Sequence, residues 1–286
     1  MTTSIDRTAS HYRRRAESRV SVNDLAALER SRQMTQPRVS VVIPTLNEAK
    51  NLPHVAERLP AGLHEIVLVD GHSVDGTVDV AQSLWPDVRV VYQTRKGKGN
   101  ALACGFAACT GDVIVMIDAD GSTDAAEIPL YVEALVGGAH FAKGTRFAAG
   151  GGSADITPVR RAGNRMLNGI VNVLFGTRYT DLCYGYNAFW RECLDVIKLE
   201  PGEPGEPVWG DGFEVETLIN VRVASAGLRI SEVASFEHAR IHGESNLNTV
   251  RDGIRVLRTI RRERVRPWRQ ERNLAPVVVT EEVQAA

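Results

Sequence analysis

The sequence predicts an α/β fold, a mostly parallel sheet with helices on both faces, and three observations carry that reading. Short β-branched apolar runs recur: VSVVIP from Val39, EIVLVD from Glu65, VRVVY from Val88 and DVIVMIDAD from Asp112. Segments of about 10 to 17 residues with helical character separate them, the alternation expected of βαβ units. The runs are continuously apolar, as strands covered on both faces are. Right-handed crossovers then bring the strand C-terminal ends to one edge, where open α/β sheets bind their ligands.

In chain order, residues 1–38 lack periodicity beyond Val22 to Leu28 and read as a flexible basic arm, with 8 arginines against 4 acids. The folded domain is expected over residues 39–247. Its first strand runs into PTLNE (44–48) and its second into VDGHSVDGT (69–77). KGKGNA (96–101) lies one short loop after the third, and DADGS (118–122) follows the fourth. Glycine-rich 148–153 and proline-rich 201–207 promise little fixed structure and are candidate lids. Residues 248–270 read as a basic amphipathic helix, with Val250, Ile254, Leu257, Ile260 and Trp268 on one side and arginines over the rest. Such a helix packs on the domain or lies in the headgroups of an anionic membrane. Residues 271–286 read as a flexible tail.

The 286 residues are 43% hydrophobic and 24% charged, an ordinary globular composition. Apolar stretches reach about five residues against the roughly 20 of a spanning helix, and no apolar block of a secretory signal occupies the first thirty positions. A cytoplasmic protein is expected, peripheral at the inner membrane face if the terminal helix binds lipid. The net charge of -1 hides an acidic body, since residues 39–250 carry 17 basic against 26 acidic side chains. That argues against nucleic acid as a partner. The four cysteines match no zinc spacing and read as reduced, structural thiols.

No G-x-G-x-x-G opens the first helix and no G-x-x-x-x-G-K-[ST] loop occurs, which removes support for dinucleotide and P-loop readings. Asp118 and Asp120 are more informative. Residues i and i+2 of a strand share a face, so both carboxylates can converge at its open end. Two hard oxygen donors there suit Mg2+ or Mn2+ shared with a diphosphate; an Asp-rich turn is the alternative.

PTLNE, VDGHSVDGT, GKGNA and DAD, in this order and spacing, resemble the nucleotide-sugar half of family 2 glycosyltransferases over roughly residues 39–250. KGTRF (143–147), DLCYGYNAF (181–189), GFEVE (212–216) and RIHGES (240–245) are similar to its polyprenyl-phosphate branch, typified by dolichyl-phosphate mannosyltransferase. The resemblance implies a GT-A fold, a GDP-mannose or UDP-glucose type of donor, a polyprenyl phosphate acceptor and inverting, metal-dependent transfer.

By that resemblance Pro44, Thr45, Asn47, Glu48 and Asp70 line the nucleotide pocket, with Lys98 on the nucleotide or a phosphate; Lys98 is otherwise a solvated lysine in a glycine turn. Asp120 is the metal ligand, Asp118 its partner nearer the ribose, and His238 and His242 flank Arg240 as further ligand or diphosphate candidates. Arg146 and Arg240 are the phosphate grips, because a planar guanidinium matches phosphate oxygens. Arg160, Arg161 and Asn164 stand on the acceptor helix, with Asn164 where relatives carry serine. Asn246 replaces a lysine common after the R-x-x-G-x-S loop, and Tyr184 a small hydroxyl of D-x-x-S-G-F. A lipid phosphate, with a second pKa of about 6, needs no strong base. A hydroxyl acceptor needs one, and Asp211 is the candidate, or else an N-cap with Glu214 completing a capping box. Trp209 stacks on substrate or anchors a lid. A soluble hydroxyl acceptor, a nucleotidyltransferase and a non-catalytic sugar-nucleotide binder remain as alternatives.

Overall fold

The structure, a computed structural model, describes residues 36–243 and 249–266. Residues 1–35 of the basic arm, the tail, Ser245, Asn246 and Trp268 lie outside the described residues, while Arg38 at the end of the arm pairs with Asp112. The chain runs β1 (Val39–Thr45), α1 (Leu52–Arg58), β2 (Glu65–Asp70), α2 (Thr77–Leu84), β3 (Arg89–Tyr92), α3 (Lys98–Ala108) and β4 (Val113–Met116). It continues through α4 (Ile128–Val136), β5 (Phe141–Thr145), β6 (Gly152–Ser153), α5 (Pro158–Phe175), β7 (Asn187–Trp190) and α6 (Leu194–Ile197). The last elements are α7 (Val215–Ser225), β8 (Ile230–Ala234), β9 (Phe236–Glu237) and α8 (Thr249–Val265).

Seven strands form one sheet in the order β3-β2-β1-β4-β7-β5-β8, parallel except where β7 runs against β4 and β5. Of the apolar runs, β4 is buried throughout and β1 nearly so, whereas β3 is a sheet-edge strand whose Arg89 and Tyr92 are exposed, so this run is not covered on both faces. Register sets the functional edge. Thr45 pairs with Asp70 and Asp70 with Tyr92, while Val42 pairs with Met116, so the chain beyond β4 emerges beside the end of β1. Among the described residues no helix is long and apolar enough to cross a membrane.

Helix α3 lies close on the sheet because Gly105 faces it. A Cβ there would stand 2.5 Å from a Val42 methyl and 2.8 Å from a Val69 methyl, both valines fully buried. Gly105→Ala is therefore expected to destabilise the fold by about 1–3 kcal/mol, the usual cost of overpacking, rather than gain helix propensity. Denaturant midpoints decide the sign, and a more stable alanine variant would refute the close contact.

Two expectations are corrected. Within the glycine-rich run, Gly152 and Ser153 form β6 and pair in parallel with β9, so this stretch is not free chain. In the proline-rich loop, the Pro201 carbonyl accepts hydrogen bonds from Thr94, Arg95 and Asn100. The face of α8 also differs from the sequence reading. Asp252, Val256, Thr259, Ile260 and Glu263 are buried, while Ile254 and Leu257 are exposed. Polar partners explain the rotation: Arg222 of α7 pairs with Glu263, and Trp209 donates to the Thr259 hydroxyl while Arg262 covers its ring at 4.1 Å. Trp209 is thus an anchor for α8.

Candidate active site

The loops after β1 and β2 are stitched into one surface. Asn47 takes a left-handed backbone (φ 59°), a conformation asparagine tolerates better than most residues. Its amide donates to the Ser73 hydroxyl and its side-chain oxygen accepts from Val74 N–H. Glu48 N–H donates to the Thr77 hydroxyl at 2.9 Å. Asp70 is buried and accepts from Ser73 N–H at 2.8 Å and from the Thr45 hydroxyl at 3.4 Å. Thr45, Asn47, Glu48 and Asp70 are thereby brought to one edge beside Pro44.

Each carboxylate of Asp118-Ala119-Asp120 faces a cation. Lys98 Nζ lies 2.6 Å from Asp118 Oδ1 and 2.8 Å from Glu216 Oε1. Burial disfavours that ammonium, yet the two carboxylates outweigh it and raise its pKa above the ordinary lysine value. Lys98 is therefore no solvated lysine. Arg240 bridges Asp120 Oδ2 at 2.7 Å and Glu48 Oε1 at 3.1 Å. Burial pushes the Glu48 carboxyl above its usual value despite Asn51 and Arg240. The segment carrying Arg240 folds over the acidic turn: Ile241 N–H donates to the Asp120 carbonyl, and Asn51 exchanges two hydrogen bonds with the His242 backbone. Gly121 (φ 76°) permits this, since a Cβ would meet the Ile241 side chain at 2.7 Å.

Asp118, Asp120, Lys98, Arg240 and Glu216 all line one cleft of about 620 Å³, which also receives apolar side chains from α5 and α8. Glu216 escaped the sequence reading, although GFEVE carries it. Gly185 is required beside it, because a Cβ there would stand 3.1 Å from Lys98 Nζ and 3.3 Å from Glu216 Oε1.

Other candidates are placed differently. Arg146 is buried and fully engaged: Nε and Nη2 meet Asp181 at 2.6 and 2.9 Å, and Nη1 meets Glu237 at 2.9 Å. Burial opposes its charge, but these two carboxylates hold its pKa above the ordinary arginine value. Its guanidinium lines the cleft but commits three of its five N–H groups to these carboxylates, so it first of all braces the wall. Asp211 is bound bidentately by Arg95 at 2.8 and 3.0 Å and accepts from Val208 N–H. It neither lines the cleft nor caps α7, whose N-cap position is Glu214, so it is unsuited to serve as a base. His238 donates its backbone N–H to Ser122 and packs its ring 5.0 Å from Phe236. Among the described residues no three His, Cys, Asp or Glu side chains group as a metal site, so His238 does not complete one with Asp118 and Asp120.

On α5, Arg160 pairs with Asp155 at 2.9 Å and lines the cleft. Arg161 instead lies over the Phe147 ring, facing a second cavity of about 540 Å³. Asn164 is buried, donating to Asp181 and accepting from Cys183 N–H. It is the first of three asparagines spaced four apart. Asn168 donates to the Thr180 carbonyl and accepts from Leu182 N–H; Asn172 does the same with the carbonyl and N–H of Tyr179. That ladder fixes segment 179–183, and its i, i+4, i+8 spacing was present in the sequence.

Lys143 is fully buried, with Nζ donating to the Gly144 and Tyr184 carbonyls at 2.8 Å. Burial lowers its pKa from 10.5 to about 8, against Asp181 and Glu232. Between those values the unfolded chain binds more protons than the folded one, so stability is expected to rise with pH there. Lys143→Met should flatten that rise in denaturant melts taken across the window; parallel profiles for both proteins would contradict it.

Comparison with known proteins agrees with this geometry. The sequence profile of Glycosyl transferase family 2 matches residues 40–197. The undecaprenyl-phosphate mannosyltransferase of Micrococcus luteus is 33% identical over 220 residues, covering 74% of this chain and 88% of that protein. The dolichol-phosphate mannosyltransferase of Pyrococcus furiosus is 30% identical over 220 residues, covering 73% of this chain and 59% of the relative. Among solved structures, glucosyl-3-phosphoglycerate synthase from Mycobacterium tuberculosis, in complex with Mn2+, UDP and phosphoglyceric acid, superposes with a TM-score of 0.61 at 21% identity, over 87% of this chain and 84% of that one. A GT-A sheet carrying paired acids at the end of β4, together with these matches, makes the chain a member of glycosyl transferase family 2.

Proposed function

We propose that this glycosyltransferase moves a hexose, with inversion, from a nucleoside-diphosphate sugar to a polyprenyl phosphate. The observation that carries the reading is the composition of the cleft: Asp118, Asp120, Lys98 and Arg240 share it with Val159, Met166, Ile254 and Leu257. The charged group suits a diphosphate and a phosphate, the apolar group an isoprenoid tail. Names of the bacterial and archaeal relatives, which act on undecaprenyl and dolichol phosphate, support the acceptor class. Asp211 being locked to Arg95 also favours an acceptor that needs no strong base.

Paired carboxylates at a strand end supply hard anionic oxygens for a divalent ion completed by phosphate and water, and Lys98 and Arg240 provide the countercharge to them in this structure. Asp120 and Asp118 would hold Mg2+ or Mn2+, which supplies positive charge to the leaving diphosphate. Arg240 and Lys98, which pair with Asp120 and Asp118 in this structure, would supply further positive charge to that diphosphate. Pro44, Thr45, Asn47, Glu48 and Asp70 face the nucleoside. An oxygen of the acceptor phosphate, already anionic, attacks the anomeric carbon from the α5 side, where Arg160 stands, as the bond from that carbon to the nucleoside diphosphate breaks and the diphosphate leaves with its electron pair.

Nucleoside-diphosphate release is the test, measured with GDP-mannose and UDP-glucose, with and without polyprenyl phosphate. Release stimulated by the lipid supports the proposal. Pyrophosphate release would make the protein a nucleotidyltransferase, and binding without turnover a sugar-nucleotide binder. Arg240→Lys is expected to lower kcat/KM by about 1.5–3 kcal/mol, because one ammonium cannot reproduce the two-oxygen bridge. Unchanged kinetics would remove Arg240 from the diphosphate.

A further inference from the structure

Helices α5 and α8 pack against each other, and each turns to solvent a stripe that the fold leaves uncovered. On α5 the buried side is Asn164, Leu167, Asn168 and Val171. Opposite it, Val159, Ala162, Met166 and Val173 recur at helical spacing, and Val159, Met166 and Val173 are 70%, 56% and 84% exposed. Large apolar side chains in such a row are unusual on a surface facing only water. On α8 the outward stripe alternates apolar and basic: Ile254, Leu257 and Val265 are exposed between exposed Arg258, Arg261 and Arg264. Arg161 and Arg165 flank the α5 stripe, both exposed. Helix α5 has no acid, and the two acids of α8, Asp252 and Glu263, are buried.

We propose that the α5–α8 face is a docking surface for an anionic phospholipid bilayer. An apolar stripe rimmed by arginines, whose one exposed acid among the described neighbours, Asp155, is already paired with Arg160, matches an interface in which acyl chains lie beneath negative headgroups. A second copy of this chain is a poor occupant, since it would bring the same arginines against these with only Asp155, already paired with Arg160, to offset them. Val159, Met166, Ile254 and Leu257 belong both to this face and to the cleft, so the cleft opens on the docked side. A lipid-borne phosphate then reaches Arg160 inside the cleft without its tail crossing water. That last consequence rests on the proposed acceptor; the docking itself does not.

Sedimentation of the full-length protein with phosphatidylcholine vesicles, with and without phosphatidylglycerol and always without polyprenyl phosphate, tests the surface. The protein is expected to pellet with phosphatidylglycerol vesicles at low salt and to be released at high salt. Two variants probe the face away from the cleft, Val173→Asp with Val265→Asp, and Arg261→Glu with Arg264→Glu. All four positions are exposed, and a wild-type melting profile verifies folding. Each variant should lose roughly tenfold or more in vesicle partitioning. Wild-type protein that stays in the supernatant, variants that bind as well as wild type, or a self-associated species that both variants dissolve would each overturn the proposal. Vesicle binding without lipid-stimulated turnover would keep the surface and discard the acceptor; turnover on detergent-dispersed lipid phosphate without vesicle binding would do the reverse.

Discussion

Asp120→Asn is expected to lower kcat/KM on the order of a thousandfold. Asp120 is the carboxylate shared between the end of β4 and Arg240, with Oδ2 at 2.7 Å from that guanidinium and Oδ1 held by the Ser122 N–H and hydroxyl at 3.0 and 2.7 Å. The geometry is preorganised, so an isosteric amide keeps the shape while removing the charge and turning one acceptor oxygen into a donor that faces Arg240 or Ser122. Loss of one anionic oxygen from a divalent-ion site costs several kcal/mol of transition-state stabilisation, and about 4 kcal/mol corresponds to three decades of rate. Initial rates of nucleoside-diphosphate release, with and without chelator, make the measurement. Wild-type turnover in the variant, or turnover indifferent to chelator, would take Asp120 and the divalent ion out of the reaction. Direct Mn2+ binding followed by electron paramagnetic resonance gives a second readout that does not depend on catalysis.

Arg146→Met should be the most destabilising substitution considered, at about 3–5 kcal/mol. Its guanidinium neutralises two buried carboxylates, Asp181 and Glu237, and lies 4.9 Å from the Tyr184 ring centroid. Removing the cation leaves both acids in a poorly solvated wall, the situation in which breaking a buried pair costs most. Adding Asp181→Asn should recover part of the loss, because one stranded charge disappears. Chemical denaturation of the single and double variants decides it. A single variant as stable as wild type, with only its donor KM raised, would restore the phosphate-binding reading of the sequence.

That contrast marks where the sequence was readable. Strands β1, β2 and β4 are uninterrupted β-branched runs, and their ends carry the polar clusters, so the parallel half of the sheet and its ligand edge follow from composition and order. Strand β7 is four residues long and antiparallel, and nothing in NAFW reveals its direction; that is decided by β4 and β5 on either side. At the site, residue type was legible but partnership was not. Arg146, Asp211 and Lys98 were all chemically suited to substrate, yet Asp181 lies 35 residues and Glu237 91 residues from Arg146, and Arg95 lies 116 from Asp211. Contacts at such separations decide whether a charge is available to a ligand or spent on the fold. The same holds for α8, where apolar periodicity alone points to Ile254 and Leu257 but Arg222 and Trp209 draw its polar residues inward.

The three asparagines of α5 have a mechanical consequence. A carboxamide offers one acceptor oxygen and an N–H donor, the same pair that a residue on a strand edge offers its neighbour. Asn164, Asn168 and Asn172 therefore act toward residues 179–183 as a surrogate strand built from side chains, and these backbone groups stay paired only while α5 remains helical. Helix and segment must open together, as one cooperative unit. Amides of Tyr179, Leu182 and Cys183 should accordingly exchange with solvent at the rate of α5 unfolding. Because Cys183, Tyr184 and Gly185 continue that segment into the cleft, the opening of α5 would also release this part of the cleft wall.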